Sequence, residues 1–298
     1  MKRLNYLLAI STLALFNACS SVSVDGDAIS TTLDYGSPET FGDALAAQVS
    51  AGDGAGIDET FRNSGVVINE SANTYFAVNG VHPVNKGDYT SYYPKSIVEA
   101  SLTTDEIVKA YSFSSLNGHE IDMEALTYGP EDGFLYVGDE YNYIYKLNLS
   151  TGEVEQEWDL ADVKVSTNTD KGIEALTYSP ITGNFYAGIQ QTACVIEVSL
   201  EDDGSVTKVN QFATSDSPSG LFAHEDGSLY VLTFGTIYRF TTDGTQTCAV
   251  EIPDGLGMTR PDGIYIDSKN EFIYLADSQG PLYDGHSMYK IAWTAPCD

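Results

Sequence analysis

Basic residues are scarce in this sequence, where 14 lysines and arginines stand against 43 aspartates and glutamates. A formal charge of −29 leaves no basic footprint for a phosphate backbone or an anionic lipid surface. Nucleic acid binding is therefore excluded. The same charge attracts divalent cations and favours solubility. We expect a monomer, with Ca²⁺ as the cofactor and an unidentified small-molecule or protein ligand.

The sequence also lacks long apolar runs, and no stretch keeps a 3.6-residue apolar period over three turns, so little helix is expected. The run from Leu7 to Phe16 follows Lys2 and Arg3 and is too short to span a bilayer. A small residue, Cys19 and two serines follow, as in bacterial lipoprotein signals. We therefore predict a lipoprotein signal peptide over residues 1–19, lipidated at Cys19.

This leader predicts an outer-membrane lipoprotein of the bacterial cell envelope that faces the periplasm or the cell surface. Contact with the membrane is then expected through the lipid anchor alone. The alternative is ordinary signal cleavage near Ala18, which would release a soluble product.

Cysteines are few, and the three beyond the leader match no zinc-binding spacing: Cys194, Cys248 and Cys297. In an oxidising compartment two of them are expected to pair. We favour a disulfide between Cys248 and Cys297, since both fall near late, outer segments of their repeats.

Residues 20–57 are rich in Ser, Thr, Gly, Ala and Asp without a hydrophobic period, and we predict a flexible acidic tether there. Beyond it, a short apolar strand, a turn and an aromatic-centred second strand recur five times. The units start at Ser64, Glu124, Glu174, Ser219 and Asp262. Their aromatic residues follow 12, 12, 12, 11 and 12 positions later, at Phe76, Tyr136, Tyr186, Tyr230 and Tyr274.

Each unit continues toward a third and a fourth strand, and four strands in about 45 residues are typical of a propeller blade. We therefore predict an all-β fold over residues 58–298, a five-bladed β-propeller of four-stranded antiparallel blades. The last unit lacks a clear fourth strand after Ile291. An N-terminal strand, within Ile57 to Arg62, is expected to complete that blade and close the ring.

The first strand of every propeller blade lines the central channel, so the five start residues should converge at one face. The ends of the second strands should lie at the same face: Asn79, Asp139, Ile189, Thr233 and Asp277, with Glu140 next along its loop. Crowded carboxylates raise one another's pKa unless a cation lies among them, and Ca²⁺ accepts irregular cages of oxygen ligands. The predicted metal ligands are Glu124, Glu140, Glu174, Asp262, Asp139 and Asp277. The alternative is that these acids are solvated or bonded to backbone amides.

Several strings, among them Met123–Tyr128, Gly138–Glu140 and Ile173–Tyr178, resemble the SdiA-regulated (YjiK-like) family over roughly residues 60 to 293. The resemblance implies a five-bladed propeller with a calcium site on its channel and no established activity, distantly similar to NHL-repeat propellers, some of which are metal-dependent enzymes. Carried over by position, the acidic channel residues would be Glu124, Glu140, Glu174 and Asp262. The sequence departs from the family where Gln190 and Phe234 replace acids.

Two functions follow as expectations. The first is a non-catalytic envelope lipoprotein that binds a ligand or protein, with Ca²⁺ as a structural ion, since no base or nucleophile beyond carboxylates is evident. The alternative is a calcium-dependent hydrolase of an ester, lactone or phosphoester. No catalytic residue is assigned from the sequence, and the first function is favoured.

Overall fold

The computed structural model describes residues 19, 22–43, 63–79, 96–112, 115–118, 121–163, 171–279 and 286–293. These residues contain 21 β-strands and two short 3₁₀-helices, Ala161–Val163 and Asp254–Leu256. The strands form five sheets, each built on a four-stranded antiparallel unit. The predicted five-bladed β-propeller is confirmed.

The N-terminal part contributes β1 (Ser23–Thr32) and β2 (Glu39–Phe41). The first blade contains β3 (Asn63–Asn69), β4 (Thr74–Asn79), β5 (Ser96–Ser101) and β6 (Ile107–Ser112). The second contains β7 (Met123–Tyr128), β8 (Phe134–Asp139), β9 (Tyr143–Asn148) and β10 (Val154–Asp159). The third contains β11 (Ile173–Ser179), β12 (Asn184–Ile189), β13 (Cys194–Leu200) and β14 (Val206–Ala213). The fourth contains β15 (Gly220–Ala223), β16 (Leu229–Leu232), β17 (Thr236–Phe240) and β18 (Thr245–Glu251). The fifth contains β19 (Pro261–Asp267), β20 (Phe272–Asp277), β21 (Met288–Ala292) and β2.

The first strand of each blade lies innermost and contacts the first strands of both neighbouring blades, which closes a ring around the channel. Small residues follow each start position and permit this approach: Gly65, Ala125, Ala175, Gly220 and Gly263. A Cβ atom on Gly263 would lie 3.1 Å from the Cα of Gly65. Larger side chains at these positions would push the innermost strands apart.

A β-bulge marks the start residue in four of the blades. The ladder between β7 and β8 pairs Met123 with Asp139 and then Ala125 with Gly138, which leaves Glu124 as the extra residue. The same interruption falls at Ser64, Glu174 and Asp262. Because a bulge redirects its extra residue, these side chains turn into the channel instead of packing against the next sheet.

The aromatic residue of each second strand is at most 5% exposed and packs between blades: Phe76, Tyr136, Tyr186, Tyr230 and Tyr274. For example, the ring centroid of Tyr136 in the second blade lies 4.6 Å from that of Phe185 in the third. Such aromatic pairs contribute about 0.5–1.5 kcal/mol each beyond the burial of their area. Each blade therefore covers the apolar face of its neighbour, as the repeat pattern requires.

An N-terminal strand closes the ring, as predicted, but at a different position from the one expected. Strand β2 pairs antiparallel with β21, with Phe41 opposite Met288, and supplies the missing fourth strand of the fifth blade. The segment from Ile57 to Arg62 lies outside the described residues. A three-residue strand with one apolar side chain gives too little alternation to be recognised in a sequence.

The closing strand is also held to the first blade. The ring of Phe41 packs edge-on against Tyr75 of that blade at 5.4 Å and against Tyr274 of the fifth blade at 5.9 Å. The backbone N–H of Gly42 donates to Asp105 at 2.8 Å. Two adjacent blades are thus joined at the seam by one short segment.

Residues 23–41 depart from the flexible tether expected over 20–57, because both β1 and β2 lie within that range. Strand β1 pairs parallel with β18 and adds a fifth strand to the outer edge of the fourth blade. Beyond it, Leu33 is 5% exposed and its N–H donates to Glu251. Backbone pairing orders this polar segment, and its composition gave no sign of that.

Cys19 forms a disulfide with Cys194 at the start of β13, across 175 residues of sequence. A sulfur atom in a disulfide cannot also carry a thioether-linked lipid, so the structure and the predicted lipidation describe exclusive states of Cys19. Cys248 is also disulfide-bonded. Its predicted partner Cys297 lies outside the described residues, and that pairing stays a prediction. Within the described part of the chain, no helix has the length and apolar character needed to cross a membrane.

Candidate functional site

The five start residues converge at one end of the channel, which we call the acidic mouth: Ser64, Glu124, Glu174, Ser219 and Asp262. Each of these residues is at most 4% exposed. The space between them is about 10 Å³, close to that of one water molecule or one ion. The structure therefore brings the five start residues together at one face, as expected from the sequence.

Asp139 and Asp277, predicted as metal ligands from the ends of the second strands, are both fully buried and turned toward backbone groups. The carboxylate of Asp139 accepts hydrogen bonds from the N–H groups of Asp122 and Tyr141, at 2.9 and 2.6 Å. Asp122 lies two residues before Glu124. Asp139 thus braces the segment that leads into β7.

Asp277 in the fifth blade likewise accepts hydrogen bonds from backbone N–H groups, three in number. Its carboxylate accepts from Thr259 at 2.6 Å, from Arg260 at 3.0 Å and from Gln279 at 3.0 Å. These bonds position the start residue Asp262, which lies in β19 two residues beyond Arg260. The geometry favours the alternative raised from the sequence for both aspartates, namely bonding to backbone amides.

Three glutamates form the centre of the acidic mouth, since Glu140 reaches in from the loop after β8 and is 4% exposed. Burial, followed by a hydrogen bond with Glu174 and repulsion from Glu174 and Glu124, raises the pKa of Glu140 to about 11. Burial and repulsion from Glu174 also raise the pKa of Glu124 well above its ordinary value. The carboxyl of Glu140 is therefore protonated at neutral pH when no cation is bound, and the pKa of Glu124 is shifted in the same direction.

Two carboxyl oxygens in this group are left without a hydrogen-bond partner. They are Oε1 of Glu124 and Oε1 of Glu174, and both are buried. A buried acceptor without a donor costs about 1–3 kcal/mol. The acidic mouth thus holds donor atoms suited to a cation and not satisfied by the protein itself.

The negative charge of Asp262 is compensated by a neighbouring cation, Arg260. The guanidinium Nε is 3.2 and 3.1 Å from the two carboxyl oxygens of Asp262, and Nη2 is 3.8 Å from Oε2 of Glu174. The hydroxyl of Ser278 also bonds to Asp262. Burial still raises the pKa of Asp262 to about 7, although Arg260 and Ser278 oppose the shift.

The loop positions where the sequence departs from the resembled family surround this group. Phe234 is 44% exposed, and the guanidinium carbon of Arg260 lies 5.4 Å from its ring centroid. Gln190 uses its backbone carbonyl to accept from the hydroxyl of Ser217. An aromatic ring thus lies beside Arg260 on this side of the mouth.

Gly172 is a positioning residue that the sequence reading missed. A Cβ atom on Gly172 would lie 2.0 Å from the carbonyl oxygen of Glu140, so only glycine lets the two segments meet. Its carbonyl also accepts from the N–H of Gln190. The sequence signal that could have identified this close approach is the glycine two positions before the start residue Glu174.

The donor set suits a hard divalent cation, because Ca²⁺ takes oxygen ligands in irregular arrangements. Glu124, Glu140 and Glu174 supply carboxyl oxygens, two of them unpartnered, while Arg260 occupies the side of Asp262. As the side chains stand, no three His, Cys, Asp or Glu residues in the described part of the chain are grouped to hold a metal ion. Holding an ion here therefore requires ionisation and small rotations of these glutamates.

The fold and this site define a five-bladed propeller with an acid cluster at one mouth of its channel. The chain belongs to the Phytase-like family, described as "Esterase-like activity of phytase", which matches residues 60–233. This match spans more than half of the chain. No match was found among curated proteins.

The solved structures that are similar to this chain include a lyase and a synthase. A catalytically inactive virginiamycin B lyase from Staphylococcus aureus, solved with quinupristin, is 15% identical with a TM-score of 0.44, covering 81% of this chain and 73% of that one. Hydrazine synthase from Kuenenia stuttgartiensis is 12% identical with a TM-score of 0.46, covering 76% of this chain. The match spans 58% of that second chain, less than two thirds of its length.

Proposed function

We propose that the acidic mouth binds a divalent cation, Ca²⁺ by preference, and that the protein hydrolyses an ester or phosphoester there. The observation that carries the proposal is the pair of buried, unpartnered carboxyl oxygens on Glu124 and Glu174. With Glu140, they offer oxygen ligands on one side of the mouth. Arg260 neutralises Asp262 on the other side.

Cation binding in this arrangement is coupled to proton release. The pKa of Glu140 is raised to about 11 and that of Glu124 well above its ordinary value, so a bound cation must displace their protons. The affinity for Ca²⁺ should therefore rise with pH. The donor count, about three carboxylates, leaves further coordination to water or substrate.

The family description supports ester hydrolysis as the reaction. A bound cation supplies a Lewis acid that polarises the ester and stabilises developing negative charge. Arg260, whose side chain is 24% exposed at the mouth, would hold an anionic oxygen of the substrate. The ionised carboxylate of Glu140 would accept a proton from the attacking water and return it to the leaving alcohol.

A non-catalytic role is the second candidate, and a specific observation favours it. The space between the start residues is about 10 Å³, enough for one ion but too small for a substrate. An ion enclosed there would fix the innermost strands. In the catalytic role the substrate must lie above the ion, beside Arg260 and Phe234.

Calorimetric titration of Ca²⁺ and thermal melting with Ca²⁺ or EDTA test the shared premise. We expect saturable binding and a higher melting temperature with Ca²⁺, both lost in Glu124→Gln and Glu174→Gln. Glu131→Gln, at an exposed hairpin, is the matched control and should respond as the wild type does. Equal melting in Ca²⁺ and EDTA would remove the cation from the proposal.

Turnover of p-nitrophenyl phosphate and p-nitrophenyl acetate separates the two roles. The catalytic role predicts Ca²⁺-dependent hydrolysis that falls about 100-fold or more in Glu140→Gln while folding is retained. Cation binding without hydrolysis of any tested ester would leave the structural ion as the account of the site.

We also propose that the protein acts in the cell envelope. Disulfides form and persist in oxidising compartments, and the bond between Cys19 and Cys194 supports export. Mass spectrometry of the purified native protein would distinguish a lipid on Cys19 from this disulfide. An intact chain with reduced cysteines would argue against export.

A further inference from the structure

The opposite end of the channel forms a second cavity, of about 260 Å³, that the proposed function does not use. Four aromatic rings line it, one from each of blades two to five: Tyr128, Tyr178, Phe222 and Tyr265. We call this end the aromatic mouth. All four rings are half-buried, so part of each ring remains open to a ligand.

The aromatic residues of this mouth contact one another and neighbouring residues. Tyr128 packs edge-on against Phe76 at 6.4 Å, and Phe222 packs edge-on against Tyr265 at 5.2 Å. The hydroxyl of Thr127 accepts a hydrogen bond from the N–H of Tyr178 in the next blade. The cavity is therefore preformed, and these contacts hold its aromatic residues in position.

The electrostatic surroundings of this mouth are negative. The lining residues in the described part of the chain include no lysine, arginine or histidine. Glu70 and Asp267 both lie near enough to Tyr265 to act on its hydroxyl. The chain as a whole carries a formal charge of −29. These charges disfavour an anionic ligand and favour a cation.

Aromatic residues around a cavity in a negative field can recognise organic cations, because the ring quadrupole attracts positive charge. From these observations we propose that the aromatic mouth binds a small organic cation of the quaternary ammonium class. A volume just under the usual 300–1,000 Å³ range of ligand sites limits the ligand to a compact headgroup.

Choline and 3,3-dimethylbutan-1-ol, which has the same shape without the charge, are the probes. Calorimetric titration of the wild-type chain at physiological salt should show saturable choline binding, with the neutral alcohol at least about fivefold weaker. Tyr265→Leu and Tyr128→Leu should weaken choline binding about fivefold or more. Tyr265→Phe keeps the ring face and should keep the affinity within twofold.

Two further variants locate the bound cation. Tyr238→Leu, on β17 away from the cavity, and Glu174→Gln, at the acidic mouth, should both bind choline as the wild type does. Loss of binding in Glu174→Gln but not in Tyr265→Leu would place choline at the acidic mouth and overturn the proposal. Equal affinity for the neutral alcohol, or no saturable binding, would overturn it as well.

Discussion

The two mouths of one channel are built from the same five strands and yet have opposite chemistry. Glu124 and Tyr128 lie four residues apart on β7, about 13 Å along the strand. At one end the bulged start residues bring buried carboxyls together around a space of about 10 Å³. At the other end, aromatic rings surround about 260 Å³.

Aliphatic side chains separate the two ends. Val66, Leu126, Leu221 and Ile264 border both cavities, and with Leu176 they lie two residues beyond the five start positions. They form an apolar layer across the channel. Repetition thus brings equivalent positions together, while the residue type at each level along the channel decides the chemistry of that level.

The largest expected effect concerns the scaffold of the acidic mouth. Asp277→Ala leaves three backbone N–H groups without their acceptor and should lower the free energy of unfolding by about 3 kcal/mol or more. Urea denaturation measures the change. Asp132→Ala, at an exposed hairpin, should stay within about 0.5 kcal/mol of the wild type. A small effect for Asp277→Ala would return that residue to the group of candidate ligands.

The next largest effect concerns the stability of the propeller as a whole. Cys194→Ala removes the disulfide to Cys19 and should lower the free energy of unfolding by about 2–4 kcal/mol. Urea denaturation of the unreduced protein is the measurement. Unchanged stability in this variant, together with added lipid mass on Cys19 in the wild type, would favour the lipidated state.

The largest effect of pH on stability should come from the acidic mouth. The folded-state pKa values of Asp262 and Glu140 are raised to about 7 and about 11, so the folded chain binds more protons than the unfolded chain above about pH 4. In EDTA, stability should therefore fall as pH rises from 5 to 8, by about 1.4 kcal/mol per pH unit for each proton involved.

Melting curves across this pH range measure the trend. Saturating Ca²⁺ should remove the fall, because it favours the ionised glutamates. A melting temperature that rises with pH in EDTA would contradict the assigned protonation of the acidic mouth.

The smallest expected effect is that of a substitution at the aromatic mouth on Ca²⁺ binding at the acidic mouth. Tyr265→Leu should leave the Ca²⁺ affinity within twofold of the wild type, since the apolar layer separates Tyr265 from Glu174. Calorimetry detects the difference directly. A change of tenfold or more would show that the two mouths are coupled.

The repeats allowed the blades and the meeting of the acids to be predicted from the sequence, because period and hairpin chemistry are local signals. The constant interval to Tyr136 and its equivalents placed the second strands correctly. Glu124 and Glu174 occupy the same position in successive repeats, and this placed both acids at one mouth. Equivalent positions in a closed ring of repeats lie at the same level of the channel.

Other features depend on contacts that leave no local pattern. The pairing of β1 with β18 comes from backbone hydrogen bonds in a polar segment. The disulfide joins cysteines 175 residues apart, and no spacing rule identifies Cys194 as the partner of Cys19. The direction of the Asp139 and Asp277 carboxylates was likewise undetermined, because the residue type alone does not distinguish a backbone acceptor from a metal ligand.

Calcium titration in two buffers of different ionisation enthalpy measures both cation binding and proton release at the acidic mouth. We expect one saturable site at pH 7, the release of about one or two protons, and loss of both signals in Glu174→Gln. The absence of a saturable site in the wild-type chain, or binding without proton release that survives in Glu174→Gln, would contradict this expectation.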